Sequence, residues 1–314
     1  MDRTVLTEPL PSPTVEAVRR ALRGRRIDLG GWAFQGLLLL ALLLALAVLV
    51  TLIGEVMGTA VQVFSQRGTG FLTSNLSSLP ERAGVAQGIV GSLRLMGFVI
   101  LLAFPLGIGA AVYLEEYARD TRFTRFLNSA IRNLAGVPSV VYGLLGLAIF
   151  VQLFASFTGG RSLMSGGLTM SILVLPIVII TSAEAIRAVP LSIREAGFGV
   201  GATRWEVIRS HVLPSAAPGI LTGTILSIGR ALGEAAPLLL IGGAPTFFAT
   251  GERTFVEAVR GDYTALPAII FTWSRKSLRE FGDSTAAAIV VLLGVLLLIN
   301  AVAILLRNRY ERKW

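Results

Sequence analysis

The sequence predicts an all-α polytopic membrane protein with six transmembrane helices. Of its 314 residues, 54% are hydrophobic and 15% are charged, and the mean hydropathy of +0.72 lies outside the range of soluble globular domains. Six apolar runs are long enough to cross about 30 Å of hydrocarbon, which takes roughly 20 residues of helix. Because hydrocarbon contains no water to pair with backbone groups, each run is expected to pair its own N–H and C=O groups by forming a helix.

The predicted spans are separated by polar segments along the chain. They are residues 34–56, 89–114, 134–154, 168–188, 218–243 and 285–306. Residues 34–314 thus form one predicted transmembrane domain, and residues 1–33 form a cytoplasmic tail. The first run follows several arginines, but it is longer than the roughly 7–15 apolar residues of a secretory signal, so we expect it to be retained. The basic tail is either a short amphipathic segment on anionic membrane lipids or a disordered segment.

Proline and glycine within the spans predict local features of the helices. Pro105, Pro138 and Pro176 are expected to kink their spans, because proline removes a helix hydrogen bond. Gly219 and Gly223 have the GxxxG spacing that lets two helix backbones approach closely. That contact lies either within the chain or between two chains.

The distribution of lysine and arginine predicts that both termini lie inside. Most of the 28 basic side chains fall in the tail and in residues 115–133, 184–214 and 307–314, which share one side if six spans alternate. Basic residues are retained on the cytoplasmic side, so we expect a multi-pass protein of the inner or plasma membrane. Its 184–214 loop is then cytoplasmic, and its 244–283 loop is outside. The same distribution accounts for the net charge of +9, so nucleic acid is not an expected partner.

The sequence contains no recognisable catalytic or cofactor-binding set of residues. It has no cysteine and a single histidine, His211, so no metal site built from these ligands is expected. The Lys276-Ser277 pair lacks the glycine-rich turn that precedes it in a nucleotide-binding P-loop. The segments GIGAAV and GVGATR lack the third glycine of a dinucleotide fingerprint. We therefore predict that the chain is not an enzyme and holds no cofactor of its own.

The polar loop 184–214 is the most informative segment for function. It reads EAIRAVPLSIREAGFGVGATRWEVIRSHVLP and is much longer than a turn between two membrane helices requires. It carries its own amphipathic pattern, with small residues Ala196 and Gly197 directly after Glu195 and a helix breaker at Gly201. These features predict a surface that is held by another protein.

The segment EAGFGVG, followed by nine residues and HVLP, resembles the EAA loop of ABC-importer permeases. The residues that match the family motif are Glu195, Ala196, Gly201, Leu213 and Pro214. Two positions depart from it, because Gly197 replaces an alanine and His211 replaces an apolar residue. Gly197 is expected to keep the small-residue contact and to loosen its helix by roughly 1 kcal/mol relative to alanine.

Four longer stretches resemble the phosphate-transport permeases, the PstA subfamily. They are residues 104–118, 133–147, 218–240 and 263–273. The segments RALGEAAPLLL and TALPAIIFTW favour this subfamily over its sister PstC. The resemblance implies the type I ABC importer (MetI-like) fold and a chain that forms half of a phosphate pathway. It also implies three partners: a PstC permease, a PstB ATPase dimer that binds ATP and Mg²⁺, and a PstS phosphate-binding protein.

The resemblance further implies that the loop acts as a lever against the ATPase. It would contain two short helices, roughly residues 193–200 and 202–211, inserted into a groove of the ATPase. Glu195 would meet basic groups there, and Phe198 and Trp205 would supply buried anchor area. The alternative is a surface helix that merely connects two spans.

Arg230 and Glu234 are charged residues within the apolar fifth span. A charge at mid-membrane costs about 2.5–3.5 kcal/mol on insertion scales, so both side chains are expected to face the protein interior. Their i,i+4 spacing places them on one helix face, where they can pair. Either the pair neutralises itself and joins helices, or Arg230 donates to phosphate oxygens while Glu234 orients it. Arg94 lies nearer the outer end of its span and can extend outward.

Two other functions fit part of the pattern. A permease for sulfate, molybdate or another anion would carry the same loop. An ion-coupled secondary transporter would also have charged residues in its spans, but internal repeats are typical of that class and the sequence shows no clear repeat. The long loop would have no role in a secondary transporter, so the ABC importer is the favoured interpretation.

Overall fold

The computed structural model describes residues 29–243 and 255–310, and all regular secondary structure in these ranges is helical. The main helices are α1 (Leu29–Arg67), α2 (Ala86–Val112), α3 (Arg122–Ala135), α4 (Ser139–Gly146), α5 (Leu163–Arg187), α6 (Leu191–Gly199), α7 (Arg204–Gly233), α8 (Ala236–Ile241), α9 (Phe255–Arg260), α10 (Leu266–Ser274) and α11 (Arg279–Tyr310). Short helical turns occupy Gly70–Thr73, Pro80–Arg82 and Ala155–Thr158. π-helical segments are Tyr113–Tyr117 after α2, Leu147–Leu153 after α4, and Ile208–Val212 within α7. The predicted all-α class is confirmed.

The chain divides into two units, Met1–Glu55 and Val56–Trp314. The described part of the first unit is the beginning of α1, where leucine, valine and alanine occur on every face. Its large apolar side chains are exposed, as for Leu42 at 67%. A helix that is apolar on all sides is typical of a membrane span surrounded by lipid. Most of the predicted tail lies outside the described residues.

Among the described residues, five helices are long and apolar enough to cross a membrane, and α3 with α4 forms a sixth candidate that is bent by 100°. Each predicted span has a helical counterpart, but several bounds differ. Helix α1 continues to Arg67, α5 begins at Leu163 and α11 begins at Arg279, all beyond the predicted limits. Helices extend past their apolar runs because polar residues at the ends continue the same backbone hydrogen bonding.

The third predicted span, 134–154, does not begin where expected. Leu134 belongs to α3, and the chain bends before α4 starts at Ser139. Pro138 explains the bend, because proline fixes its own backbone and disfavours the helical conformation at the residue before it. Helix α3 carries its arginines on one face and apolar side chains on the other, so it is amphipathic rather than part of an apolar span.

The fifth predicted span, 218–243, is not one continuous helix. Helix α7 ends at Gly233, and Glu234 has an extended backbone with φ −83° and ψ 112°. Pro237 explains the break, because it lacks the N–H that would bond to the carbonyl of residue 233 and its ring would clash there. At its other end, α7 begins at Arg204, well before the predicted start.

Part of the predicted outer loop 244–283 is buried in the protein core. Residues 244–254 lie outside the described residues, but α10 is buried, with Leu266 and Ile269 at 0% exposure and Trp273 at 1%. This stretch of the predicted outer segment is therefore packed inside the chain, and the prediction that it lies on the outer side of the membrane stays a prediction. Its apolar run is too short to span a membrane, and runs of this length are typical of buried or re-entrant helices.

Gly91 lets the start of α10 lie directly against α2. A Cβ atom at Gly91 would overlap the backbone carbonyl oxygen of Thr264. Beside it, the backbone N–H of Leu266 donates to the hydroxyl of Ser92 at 2.9 Å. Because this hydroxyl is buried, the hydrogen bond satisfies a polar group that water cannot reach and fixes the position of the short helix.

The GxxxG pair in α7 joins two helices of this chain. A Cβ at Gly219 would lie 2.8 Å from the Cβ of Ala185, and a Cβ at Gly223 would overlap the side chain of Thr181. Both neighbours lie on α5. Of the two interpretations that the sequence left open for this spacing, the structure supports packing within the chain.

Candidate functional site

The 184–214 loop folds into one short helix and the beginning of a long one. Helix α6 follows Pro190 and ends at Gly199. The chain then reverses through Gly201, whose φ is +83°. This left-handed conformation carries no steric penalty for glycine, which explains why the predicted break falls at this residue. We call α6, the reversal and the first turns of α7 the loop hairpin.

A capping box fixes the start of α7. The hydroxyl of Thr203 accepts a hydrogen bond from the backbone N–H of Glu206. The carboxylate of Glu206 accepts in return from the backbone N–H of Thr203 at 2.7 Å. These bonds satisfy two N–H groups that have no partner within a helix, so α7 begins at Arg204.

The second predicted loop helix, 202–211, is the first part of α7 and not a separate helix. At Ile208–Val212 the helix widens into a π-helical turn and then continues. Leu213 is half-buried and Pro214 is exposed at this junction. Pro214 has no N–H to donate to the carbonyl of residue 210, and a π-helical turn accommodates such a gap without ending the helix. The loop hairpin is therefore continuous with the fifth span.

A buried glycine holds α6 close to α7. A Cβ at Gly197 would lie 2.8 Å from a methyl carbon of Val207, so an alanine would have to displace this stiff side chain. Ile193 of α6 packs against the neighbouring apolar cluster, which joins α7 to the ends of α2 and α5. The buried members of the cluster are Ala111, Val112, Ile186, Val189, Val207, Ile208, Val212, Ala216 and Ile220.

The outer face of the loop hairpin presents most of the other predicted site residues. Glu195 and Ala196 are exposed, Phe198 is 49% exposed and Trp205 is 53% exposed. A cleft of about 780 Å³ beside α6 is lined in part by Phe198 and Arg204. Glu195 and Phe198 are three residues apart on one helix, so a carboxylate and an aromatic ring are neighbours on its surface and offer both charge and apolar area.

A buried ion pair that was not predicted from the sequence joins α6 to the end of α2. Arg194 of α6 donates to one carboxylate oxygen of Glu116, from Nη2 at 2.8 Å and from Nε at 3.1 Å. Its guanidinium also donates to the backbone oxygens of Ile186, at 2.9 Å, and Val189, at 2.6 Å. The two charged side chains are only 16% and 9% exposed. One arginine therefore ties α6 to the ends of both α2 and α5.

A second ion pair lies beside the first and is more exposed. Arg187, the last residue of α5, donates from Nε to a carboxylate oxygen of Glu115 at 3.1 Å and from Nη2 to the other. The Arg187 side chain is 58% exposed. The sequence carried a signal for both pairs, since two adjacent acidic residues end an apolar span on the side where arginine is concentrated.

Arg230 and Glu234 are brought together, but not as the sequence predicted. Nε of Arg230 lies 3.6 Å from a carboxylate oxygen of Glu234. Glu234 is beyond the end of α7, so the two do not share a helix face. The Arg230 side chain is 49% exposed, so it is not buried among the helices of this chain. Its remaining guanidinium donors are free to meet a ligand or a neighbouring chain. Arg94 is exposed on α2.

Residues 103–314 match the family described as "Binding-protein-dependent transport system inner membrane component". One relative is the "Probable ABC transporter permease protein YqgI" of Bacillus subtilis, which is 36% identical over 58% of this chain and 61% of its own length. Another is the "Phosphate transport system permease protein PstA" of Pasteurella multocida, 33% identical over 69% of this chain and 74% of its own length. A third is the "Phosphate transport system permease protein PstC" of Mesorhizobium japonicum, which is 33% identical over 67% of this chain and 76% of its own length. The chain thus spans about three fifths of YqgI.

Solved structures share the fold at low sequence identity. A bacterial ABC transporter involved in the import of the acidic polysaccharide alginate aligns over 90% of this chain and 99% of its own, with a TM-score of 0.62 and 19% identity. The inward-facing MetNI methionine ABC transporter aligns over 73% of this chain and 98% of its own, with a TM-score of 0.58 and 15% identity. These likenesses confirm the predicted MetI-like fold. The family match over residues 103–314 shows that this chain belongs to the inner membrane components of binding-protein-dependent transport systems.

Proposed function

We propose that this chain is a permease subunit of an ATP-driven phosphate importer and forms half of its translocation pathway. ATP and Mg²⁺ bind to a partner ATPase dimer of the PstB kind, and this chain holds no cofactor. The other partners are a homologous permease of the PstC kind and a phosphate-binding protein of the PstS kind. The complex lies in the inner or plasma membrane, with both termini and the loop hairpin on the cytoplasmic side.

The observation that carries the proposal is the outer face of the loop hairpin. Phe198 and Trp205 are both about half exposed, although large aromatic side chains gain most from being buried. Exposed aromatic side chains grouped with a carboxylate are typical of protein contact surfaces. We infer that they enter apolar pockets of the ATPase while Glu195 pairs with its basic groups. The small side chain of Ala196 would let the backbone of α6 approach the backbone of the ATPase closely.

The other motif residues support this surface from within. Gly197 keeps α6 within contact distance of Val207, and Gly201 makes the sharp reversal between the two helices. Leu213 and Pro214 lie where the hairpin continues into the span. This arrangement makes the hairpin a rigid projection of the span, which is what a lever requires.

Phosphate is the anion that the available observations favour. Two of the relatives bear the names of phosphate transport system permeases. Arg230 is half exposed, and its ion pair with Glu234 leaves most of its donors free. A planar guanidinium matches the geometry of phosphate oxygens, and the adjacent carboxylate limits the net positive charge that would otherwise hold the anion too tightly.

Reconstitution of the complex tests the proposal. The chain is co-expressed with its predicted permease and ATPase partners and placed in lipid vesicles with the binding protein. Phosphate-loaded binding protein is expected to stimulate both ATP hydrolysis and uptake of radiolabelled phosphate. The matched control carries an ATPase whose catalytic carboxylate is changed to an amide. Stimulation by sulfate or molybdate in place of phosphate would assign another anion, and uptake driven by an ion gradient without ATP would contradict the importer.

A further inference from the structure

Three consecutive side chains at the end of α2 contact three different helices. We call residues 115–117 the EEY turn; it belongs to the π-helical segment that follows α2. Its first carboxylate pairs with Arg187 of α5, and its second pairs with Arg194 of α6. The ring of its tyrosine lies under the guanidinium of Arg204, at the start of α7, at 5.1 Å from the ring centroid. The EEY turn thus contacts both helices of the loop hairpin and the end of α5.

The three contacts differ in how firmly they join the helices. The pair with Arg187 and the ring contact with Arg204 are open to water, which weakens such interactions. The Glu116–Arg194 pair is buried, and Arg194 adds two bonds to backbone oxygens at the end of α5. A buried charge that loses its partner is strongly unfavourable, so this pair resists separation. It is the firmest polar link between α6 and α2.

We propose that the Glu116–Arg194 pair transmits displacement of α6 to α2, with both residues acting as positioning residues. This inference deepens the proposed function and rests on it. Helix α7 follows the hairpin because it is continuous with it, but α2 has no such covalent connection. Directional bonds from one guanidinium to Glu116, Ile186 and Val189 fix the relative position of three helix ends.

Displacement of α2 would also move the helices that pack against it. A Cβ at Gly107 of α2 would lie 2.7 Å from a methyl carbon of Val178 on α5, so the two helices pack closely at this point. Interfaces packed this closely move as units and do not deform continuously. A partner that shifts the hairpin would therefore move α2 and α7 together.

The test is the amount of phosphate transported per ATP hydrolysed in the reconstituted complex. A simple folding defect lowers both rates in proportion to the amount of complex and leaves this ratio unchanged. Glu116→Gln and Arg194→Gln are expected to lower the ratio several-fold, because hydrolysis continues while α2 no longer follows. Arg194→Lys keeps the charge but not the fork of donors, so an intermediate ratio is expected.

Glu115→Gln is the matched control. It removes the neighbouring ion pair on the same turn, which contains no residue of α6, so the ratio is expected to equal that of the unaltered complex. The proposal is overturned if Glu116→Gln and Arg194→Lys leave the ratio unchanged, or if Glu115→Gln lowers it equally. Absence of phosphate-stimulated hydrolysis in the unaltered complex would instead contradict the proposed function.

A distance measurement tests the same link without relying on activity. The sequence has no cysteine, so spin labels can be attached at single introduced cysteines. Ser192 on α6 and Leu106 on α2 are both exposed. In the unaltered complex the separation of these labels is expected to stay constant between nucleotide-free and ATP-bound states. A separation that changes as the hairpin moves would overturn the proposal even if the variants fail to assemble.

Discussion

At the scale of single residues, the proposed pathway depends most on Arg230. Arg230→Ala is expected to abolish phosphate uptake while the complex still assembles, because the half-exposed guanidinium supplies the donors for the anion. Arg230→Lys is expected to restore little uptake, since a point charge does not reproduce the planar fork. The measurement is uptake of radiolabelled phosphate, normalised to the amount of the chain in the membrane.

Substitution of Glu234 shows whether Arg230 contacts the anion or whether the two side chains only neutralise each other's charge. Glu234→Gln leaves the arginine in place and is expected to reduce uptake less than Arg230→Ala does. If the pair served only to neutralise itself, either single substitution would strand one charge and deplete the chain from the membrane, and the double variant would recover. An abundant and active double variant would show that Arg230 does not contact the anion.

Gly91 makes a second prediction for a single residue. Gly91→Ala is expected to destabilise the chain by about 1–3 kcal/mol or more, because the new methyl group would overlap a backbone oxygen that cannot rotate away. Gly97→Ala is the matched control on the same helix, since no atom lies within 4 Å of its Cβ position. The stability of both variants is measured as the midpoint of thermal unfolding of the detergent-purified chain. Equal midpoints for the two variants would show that α10 is not seated on α2 as described.

At the scale of elements, the loop hairpin makes a separate prediction. Gly201→Val is expected to uncouple transport or to release the ATPase, because a β-branched residue at φ +83° costs of order 1–3 kcal/mol and distorts the reversal. Glu195→Lys is expected to have the same outcome by reversing a charge at the contact. Co-purification of the ATPase, compared with the amount of chain in the membrane, measures both effects.

The control for the hairpin is Gly199→Ala. Gly199 is exposed, has no atom within 4 Å of its Cβ position and has a negative φ, so alanine fits there. This variant is expected to bind the ATPase normally. If Gly201→Val and Glu195→Lys also bound it normally and transported phosphate, the hairpin would not be the docking element.

The elements that could be predicted are those determined by local chemistry. The apolar runs predicted six spans because each must satisfy its own backbone in hydrocarbon, and Gly201 predicted the reversal because only glycine adopts that conformation readily. Burial of α10 could not be predicted, because it depends on contacts between distant parts of the chain. The adjacent acidic residues at the end of α2 indicated ion pairs, but the choice of Arg194 as the partner of Glu116 depends on the folded chain. The break after Gly233 had a local cause in Pro237 that the long apolar run concealed.

At the scale of the whole molecule, the orientation of the chain is testable. Single cysteines at Phe157 and Val200 occupy exposed positions, at 64% and 84%, in segments predicted to lie on opposite sides. A membrane-impermeant thiol reagent added to intact cells is expected to label the first and not the second. Both are expected to react after the membrane is opened. Labelling of only Val200→Cys would reverse the orientation and with it the proposed role of the hairpin.

Because α7 is continuous, the number of residues between the hairpin and Arg230 determines the direction in which Arg230 points about the helix axis. This single helix of 30 residues, about 45 Å long, carries Trp205 near one end and Arg230 near the other. Insertion of one residue between them would rotate Arg230 by about 100° about the helix axis relative to the hairpin, whereas seven residues would return it to within roughly 20°. The ATPase contact and the anion contact are therefore aligned by the count of residues between them, and a change of length that spared every side chain would still turn one away from its partner.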